Sequence, residues 1–549
     1  MANNLRRIAG SLRVRKHRST WLTGTEAAPL TDEWYGSICL SGYIPARWRS
    51  HAATNRPISM ENEQREEVNS KDVKPFTDMP GPKGLPYLGT LLRYKFGPYR
   101  MDTYHLSLMD NYHRYGKIFK ETIAGRTKVH LLDPDYISVM YQQEDKMPHI
   151  PPLLETTQLY RKIRNLSPGL GNTNGEEWYR LRSAVQQMMM RPRAVSMFLP
   201  QVNEIVDDFV DRLQRIRVKD SGLVPSFKNE LLKWNLESSA STCFEIRFGC
   251  LDAESDSIQQ QMITASRQIF ELSLKLTFGI PWFKLFTTPT LKQLLAAEDL
   301  FFSNGQKLVD QTVTKIKSLV DRGELKEGQY KFLTYLMGKE ELDYKDTSIL
   351  TLSLFADGLS TTVPSMIGQL YCLAVNPDKQ EKLYESIRQL LPNKDEPITN
   401  EVLSKCQYLK SCIKEGFRFF PIGVEVSRKP QKDVIIGGYH IPAGTHVELN
   451  NNLLLRLPEY FNSPETYLPE RWMRGETMEK VHPYLLLPFG FGPRTCAGRR
   501  FAEQEMQVLI IRLLQHFQIE WSHQDVMAQR YCMLLTPNKE PLFKFIPRK

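Results

Sequence analysis

Long hydrophobic runs are missing from this chain. No stretch of about 18 or more consecutive apolar residues occurs in it, so a transmembrane helix is not expected. There is no secretory leader with its short apolar core and small-residue cleavage site. Cysteine is sparse: Cys39, Cys243, Cys250, Cys372, Cys406, Cys412, Cys496 and Cys532 include no CxxC pair and no zinc-type spacing. This pattern points to free thiols in a reducing compartment. No segment repeats with a period of roughly 20–50 residues, which argues against solenoids and propellers. Acidic residues are absent from the first 25 positions, "MANNLRRIAGSLRVRKHRSTWLTGT", which hold five arginines and one lysine. That segment carries +6 of the formal +10, leaving +4 for the remaining 524 residues. An Arg-rich, Ser/Thr-containing, acid-free start has the make-up of a mitochondrial transit peptide, assigned to residues 1–50. The basic excess sits where a removable segment would sit, so no nucleic-acid partner is expected.

What is present is a large, mostly helical chain. Hydrophobic residues make up 41% of the 549, enough for a sizeable core. Residues 51–79 are polar and lack a sustained period, which reads as a linker. From "MPGPKGLPYLGT" onward the composition changes, and residues 80–549 read as one domain. Helical period runs through "EEWYRLRSAVQQMM", "QVNEIVDDFVDRLQRI", "DKQEKLYESIRQLL" and "FAEQEMQVLIIRLLQHF". It also spans "DTSILTLSLFADGLSTTVPSMIGQLYCLAV", about 45 Å of helix at 1.5 Å per residue, which must cross the middle of the domain. Strand-like runs are few: "GKIFKETIAG", "TKVHLLD" and "DVIIGGYHIPAGTHVELN", the last expected to be a hairpin turning at "PAGT". The fold class is therefore mainly α with a small β region.

One loop stands apart, "PFGFGPRTCAGRR", Pro488 to Arg500. Gly490, Gly492 and Gly498 free its backbone to approach a flat ligand. Cys496 precedes a helical run, where unpaired N–H donors and the macrodipole favour thiolate over thiol. A nucleophile would want a base, and the loop has no histidine. A lone thiolate ligand to a metal otherwise held by a cofactor fits better.

Phe489, Gly492, Arg494, Cys496 and Gly498 fill every position of F-x-x-G-x-R-x-C-x-G. The loop resembles the haem-binding loop of the cytochrome P-450 family, a class in which a cysteine thiolate holds haem iron. The resemblance covers residues 80–549 and implies a single large haem-binding domain with haem b as cofactor. It implies Cys496 as axial ligand, Arg494 near a haem propionate and Phe489 packed by the sulfur. Trp178 and Arg182, four apart in "EEWYRLR", and Arg428 in "VSRKP" resemble further propionate partners. Glu415 and Arg418 in "SCIKEGFRFFP", with Arg471 in "PERW", resemble the family's buried structural cluster.

The long helix carries "LFADGLSTTVPS". The family's pattern there is small-Gly-x-acid-Thr-Thr/Ser. Gly358, Thr361 and Thr362 match, whereas Ser360 stands at the acid position and Asp357 at the small one. Asp357 and Ser360 share a helix face, and Pro364 deprives the Ser360 carbonyl of its donor. The helix is expected to open there and admit water, with Asp357, Ser360 and Thr361 as the catalytic group that handles protons. The alternative is an Asp357 turned to solvent or to a salt bridge.

Lys410 and Lys414, and Arg499 and Arg500, match the positions at which mitochondrial members dock a small acidic 2Fe–2S ferredoxin, itself served by an NADPH reductase. Trp282, Phe283 and Phe286 in "FGIPWFKLFTTPT" resemble a segment that dips into the membrane, placing the protein peripherally on the matrix side of the inner mitochondrial membrane. The resemblance implies a monooxygenase acting on a lipophilic substrate: a sterol, steroid or secosteroid, or, as in insect-type members, an ecdysteroid or xenobiotic. Two other readings stay open: a reductase-independent haem-thiolate isomerase or dehydratase, and a haem-binding sensor without turnover.

Overall fold

The computed structural model describes residues 73–548 except 327, 476 and 477. The 1–50 leader and most of the 51–79 linker lie outside the described residues. The described end of that linker packs onto the domain: the Lys74 amide donates to the Gly438 carbonyl at 2.9 Å, and Met79 is buried.

The helices that build the site are α1 (Glu155–Ile163), α2 (Gly175–Met189), α3 (Leu199–Ile216), α4 (Phe227–Phe244), α5 (Ile258–Thr277), α6 (Pro289–Asp321), α7 (Tyr344–Ala374), α8 (Gln407–Phe419) and α9 (Arg499–His516). Helix α7 has 31 residues. It starts where the Asp343 carboxylate accepts from the Asp346 amide at 2.7 Å, an N-cap that satisfies an otherwise orphaned donor. It runs unbroken through Pro364, so the helix does not open at Ser360 as expected. Neighbouring hydroxyls serve the carbonyls of this turn: Ser365 Oγ donates to the Thr361 carbonyl at 2.8 Å. The apolar face of α7 packs with α4, α8 and α9 in the largest core cluster, which includes Trp234, Phe355, Leu370, Leu409 and Leu509.

The strands are β1 (Ile118–Ile123), β2 (Arg126–Leu131), β3 (Val426–Arg428), β4 (Val434–Ile436), β5 (Tyr439–Ile441), β6 (His446–Leu449), β7 (Phe517–Trp521), β8 (Gln529–Cys532), β9 (Leu534–Pro537) and β10 (Phe543–Pro547). The main sheet has the order β1-β2-β6-β3, with β2 and β6 parallel and the other pairs antiparallel. The expected hairpin is corrected. Its turn lies at Gly437–Gly438, between β4 and β5, because both glycines take positive φ. The "PAGT" segment, Pro442 to Thr445, instead carries the chain from that hairpin to β6 in the main sheet.

Candidate active site

The cysteine loop is fixed by its backbone. Gly490 and Gly492 have φ of +72° and +70°, a region that side chains disfavour. The loop then closes on itself where the Cys496 amide donates to the Phe489 carbonyl at 2.9 Å. The Phe489 ring packs edge-on against Phe417 of α8, at 5.4 Å between centroids. The N–H groups of Gly498 and Arg499, opening α9, donate to the Cys496 sulfur and favour its thiolate. Burial outweighs them, so the free thiol's pKa is raised; the expected net preference for thiolate is thereby corrected. Desolvation and accessibility coincide here, since Cys496 is nevertheless exposed. Only a concave wall inside the protein has both properties.

Asp357 and Thr361 share this character. Both are exposed, although Phe355, Leu359 and Val363 around them on α7 are buried. Burial raises the Asp357 carboxyl to about 6, partly offset by the charge of Arg161 on α1. Its charge also raises the Cys496 thiol, which places α7 across from the cysteine loop. The Thr361 and Ser360 hydroxyls donate to the Asp357 backbone carbonyl, at 2.8 and 3.1 Å, and not to its carboxylate. Gly358 does not face this concavity with a role of its own. A Cβ on it would lie 2.5 Å from Oδ1 of Asn235, so glycine lets α4 approach α7.

Three arginines gather near one acid. Arg428 ion-pairs with Glu144 and is buried. Arg494 donates to the Pro148 carbonyl at 2.8 Å and to Asn174 Oδ1 at 2.7 Å, and its guanidinium stacks 4.0 Å from the Trp178 ring centroid. One of its terminal nitrogens is buried with no partner. Burial, together with the charges of Arg428 and Arg182, pushes Arg494 down to about 9. Arg182 is buried as well, and its charge acts on Cys496. Three cations against the single carboxylate of Glu144 leave +2 and an orphaned donor beside the cysteine. That donor set fits a cofactor carrying two carboxylates, as haem does. Sequence reasoning missed Glu144, for which no local signal exists. It also missed Asn174, whose place before "GEEW" is an N-cap pattern that could have been read.

Glu415, Arg418 and Arg471 come together in the fold. All three are wholly buried. Glu415 accepts from Arg418 at 2.9 and 3.1 Å, from Arg471 at 3.1 Å, from the Trp472 indole at 2.8 Å and from the Leu468 amide at 2.9 Å. This pins the segment before the cysteine loop to α8.

On the surface, exposed Lys414 lies over the Trp472 ring at 4.8 Å, and its pKa is lowered by burial and by the charge of Arg499. Lys414 of α8 thus lies close enough to Arg499, at the start of α9, for their charges to interact. Arg499 and Arg500 both also pair with Glu503, at 2.8 and 3.2 Å, and Lys410 turns to the Ser404 carbonyl at 2.8 Å. In the distal segment Trp282 and Phe286 are exposed. Phe283 is not: it is buried with Leu272, Leu276, Leu291 and Leu294 between α5 and α6, which corrects its reading as a membrane residue. Among the described residues no helix is long and apolar enough to cross a membrane.

Comparison with known proteins agrees with this geometry. The Cytochrome P-450 family matches residues 79–545. The chain is 39% identical over 481 residues to the probable cytochrome P-450 CYP44 of Caenorhabditis elegans, covering 86% of this chain and 94% of that protein. It is 31% identical to cytochrome P-450 27C1 of Danio rerio, over 94% of this chain and 93% of that one. It is 29% identical to the mitochondrial 1,25-dihydroxyvitamin D(3) 24-hydroxylase of Rattus norvegicus, over 87% and 90%. A thiol at the mouth of α9, a cationic cradle beside it and a family match across nearly the whole described fold converge: this chain belongs to the cytochrome P-450 family of monooxygenases, whose members bind haem through a cysteine thiolate.

Proposed function

We propose that the chain inserts one atom of O2 into a lipophilic substrate, drawing two electrons from a 2Fe–2S ferredoxin and its NADPH reductase. The second oxygen atom leaves as water with two protons. Cys496 would hold the haem iron through its thiolate, and Arg494, Arg182, Arg428 and Trp178 would hold the haem carboxylates. When bound, haem supplies the redox chemistry, with the thiolate favouring O–O cleavage. The observation that carries this reading is the placement of Asp357 and Thr361 on the same concave interior as Cys496.

Within that interior Asp357 is the proton-handling group. A carboxyl at about 6 both holds and releases a proton near neutral pH. Thr361 and Ser360 keep their hydroxyls on the adjoining turn, anchored to the Asp357 carbonyl, in line with a proton path along that face of α7. Asp357 has no ion pair within contact distance among the described residues, in keeping with a group that exchanges its proton.

The substrate class is sterol, steroid or secosteroid, ecdysteroid or xenobiotic. A relative named for a dihydroxyvitamin D(3) hydroxylation supports the secosteroid end of that range. Residues 1–50 act as a mitochondrial leader, and relatives named mitochondrial support that address. Residues 80–549 are the catalytic domain. Trp282 and Phe286 rest on the matrix side of the inner membrane. The face carrying Lys410, Lys414, Arg499 and Arg500 receives the ferredoxin. The test combines the purified protein, ferredoxin, its reductase and NADPH with a sterol panel and measures hydroxylated product by mass spectrometry. Product formed without the electron donor would move the chain to the isomerase class, and haem binding without product on any substrate would move it to the sensor class.

A further inference from the structure

A second cavity, of about 70 Å³, lies between α4, α5, α7 and the β8–β9 hairpin. Ser360 and Pro364 of α7 form part of its wall, with Leu232, Phe270, Leu359 and Val363 as apolar lining. Three cations border it from three separate elements: Lys228 on α4, Arg267 on α5 and Arg530 on β8. The single bordering carboxylate is Glu271, 3.8 Å from Arg530. Among the described residues Lys228 and Arg267 have neither an ion pair nor a side-chain hydrogen bond. The exposed Glu540 acts on Lys228 only as a further charge. Burial lowers the lysine's pKa, and Arg267 and Arg530 lower it further, so the cations repel one another in a partly desolvated space. The Thr536 hydroxyl, also bordering the cavity, is buried without a partner.

We propose that this cavity binds the carboxylate end of an amphipathic molecule. Lys228, Arg267 and Arg530 supply the charge-assisted donors, and the unpartnered Thr536 hydroxyl supplies a neutral one. Three cations against one acid leave +2, so the cavity has charge to hold a carboxylate with Glu271 in place beside Arg530. The planar forks of two arginines match the two oxygens of a carboxylate. The apolar wall takes the first methylenes of the molecule, and the cavity's size limits what is enclosed to the carboxylate and those few carbons. This assignment is independent of the oxygenase reading, because it concerns binding alone.

Isothermal titration of the full-length haem-loaded protein with sodium decanoate, below micelle formation, tests it. Methyl decanoate and sodium acetate are the controls, on wild type and on the Lys228→Met and Arg267→Gln variants. Decanoate should bind wild type, weaken about tenfold or more in each variant through loss of a charge-assisted bond, and bind far more tightly than acetate. Methyl decanoate should show no dependence on either variant. Arg267 is exposed, so Arg267→Gln keeps the test valid even where Lys228→Met destabilises the fold. Decanoate affinity unchanged in Arg267→Gln and in a folded Lys228→Met would overturn the proposal. So would methyl decanoate binding as tightly as decanoate, or acetate binding as tightly as decanoate, which would indicate a free small anion.

Discussion

At the scale of single residues, the site depends on groups whose environments oppose their charged forms. Cys496 is such a group: two backbone donors favour its thiolate and burial disfavours it. A metal ion held in place of the proton would settle that conflict. Cys496→Ser should therefore fold but lose the thiolate-specific carbon monoxide difference band. Asp357 offers a second test. Its carboxyl is neutral below about pH 6 and ionised above it, so the fraction of reductant recovered as product should inflect near that pH. Asp357→Asn should lower this coupling several-fold and remove the inflection, since an amide does not titrate. Coupling and pH profile identical to wild type would show that Asp357 is not the proton group.

At the scale of elements, buried acids tie helices to distant segments of the chain, and their energetics differ. Glu415 ion-pairs with two wholly buried arginines, and Glu415→Ala would leave Arg418 without a carboxylate and Arg471 with Glu479 alone. A loss of about 3–5 kcal/mol is expected in chemical denaturation, the range for breaking a buried ion pair from one side. Glu505 on α9 is the opposite case. It is buried and accepts from Ser238 of α4 at 2.7 Å, yet burial raises its carboxyl to about 7. The folded state therefore holds its proton more tightly than the unfolded chain does. Its contribution is fully present below the ordinary carboxylate pKa and is lost as pH rises to about 7. Glu505→Gln should remove that decline, making the variant more stable than wild type at pH 8 by on the order of 2–3 kcal/mol. Wild-type stability flat between pH 5 and 7 would contradict this.

At the scale of the whole molecule, the proposed ferredoxin and membrane contacts fall on two surfaces. Lys414→Glu should slow ferredoxin-driven reduction and weaken its dependence on salt, as removal of a steering charge does. Reduction kinetics unchanged at low salt would place the donor elsewhere. Trp282→Ser combined with Phe286→Ser should reduce sedimentation with liposomes and leave thermal unfolding unaltered. Phe283→Ser should destabilise the protein by about 2–4 kcal/mol, because that ring fills core between α5 and α6. The contrast within one segment shows where sequence reading stops. "FGIPWFKLFTTPT" announces an aromatic cluster, but which ring turns inward depends on Leu272, Leu276, Leu291 and Leu294 on helices to either side. The long helix, the glycine-bracketed cysteine and the Glu415–Arg418 pair were legible because each is encoded within a few turns by period, spacing and residue type. The turn at Gly437–Gly438 could have been read the same way, since paired glycines outrank "PAGT" in a two-residue hairpin. Other features join positions far apart in the chain: Glu144 against Arg428, Lys414 beside Arg499, and the cations of the second cavity drawn from α4, α5 and β8. By itself the sequence determined the local chemistry and the thiolate loop. Only tertiary structure decided which charges meet and which remain unpaired, because close approach between distant segments is set by packing of the core and leaves no periodic trace in the chain.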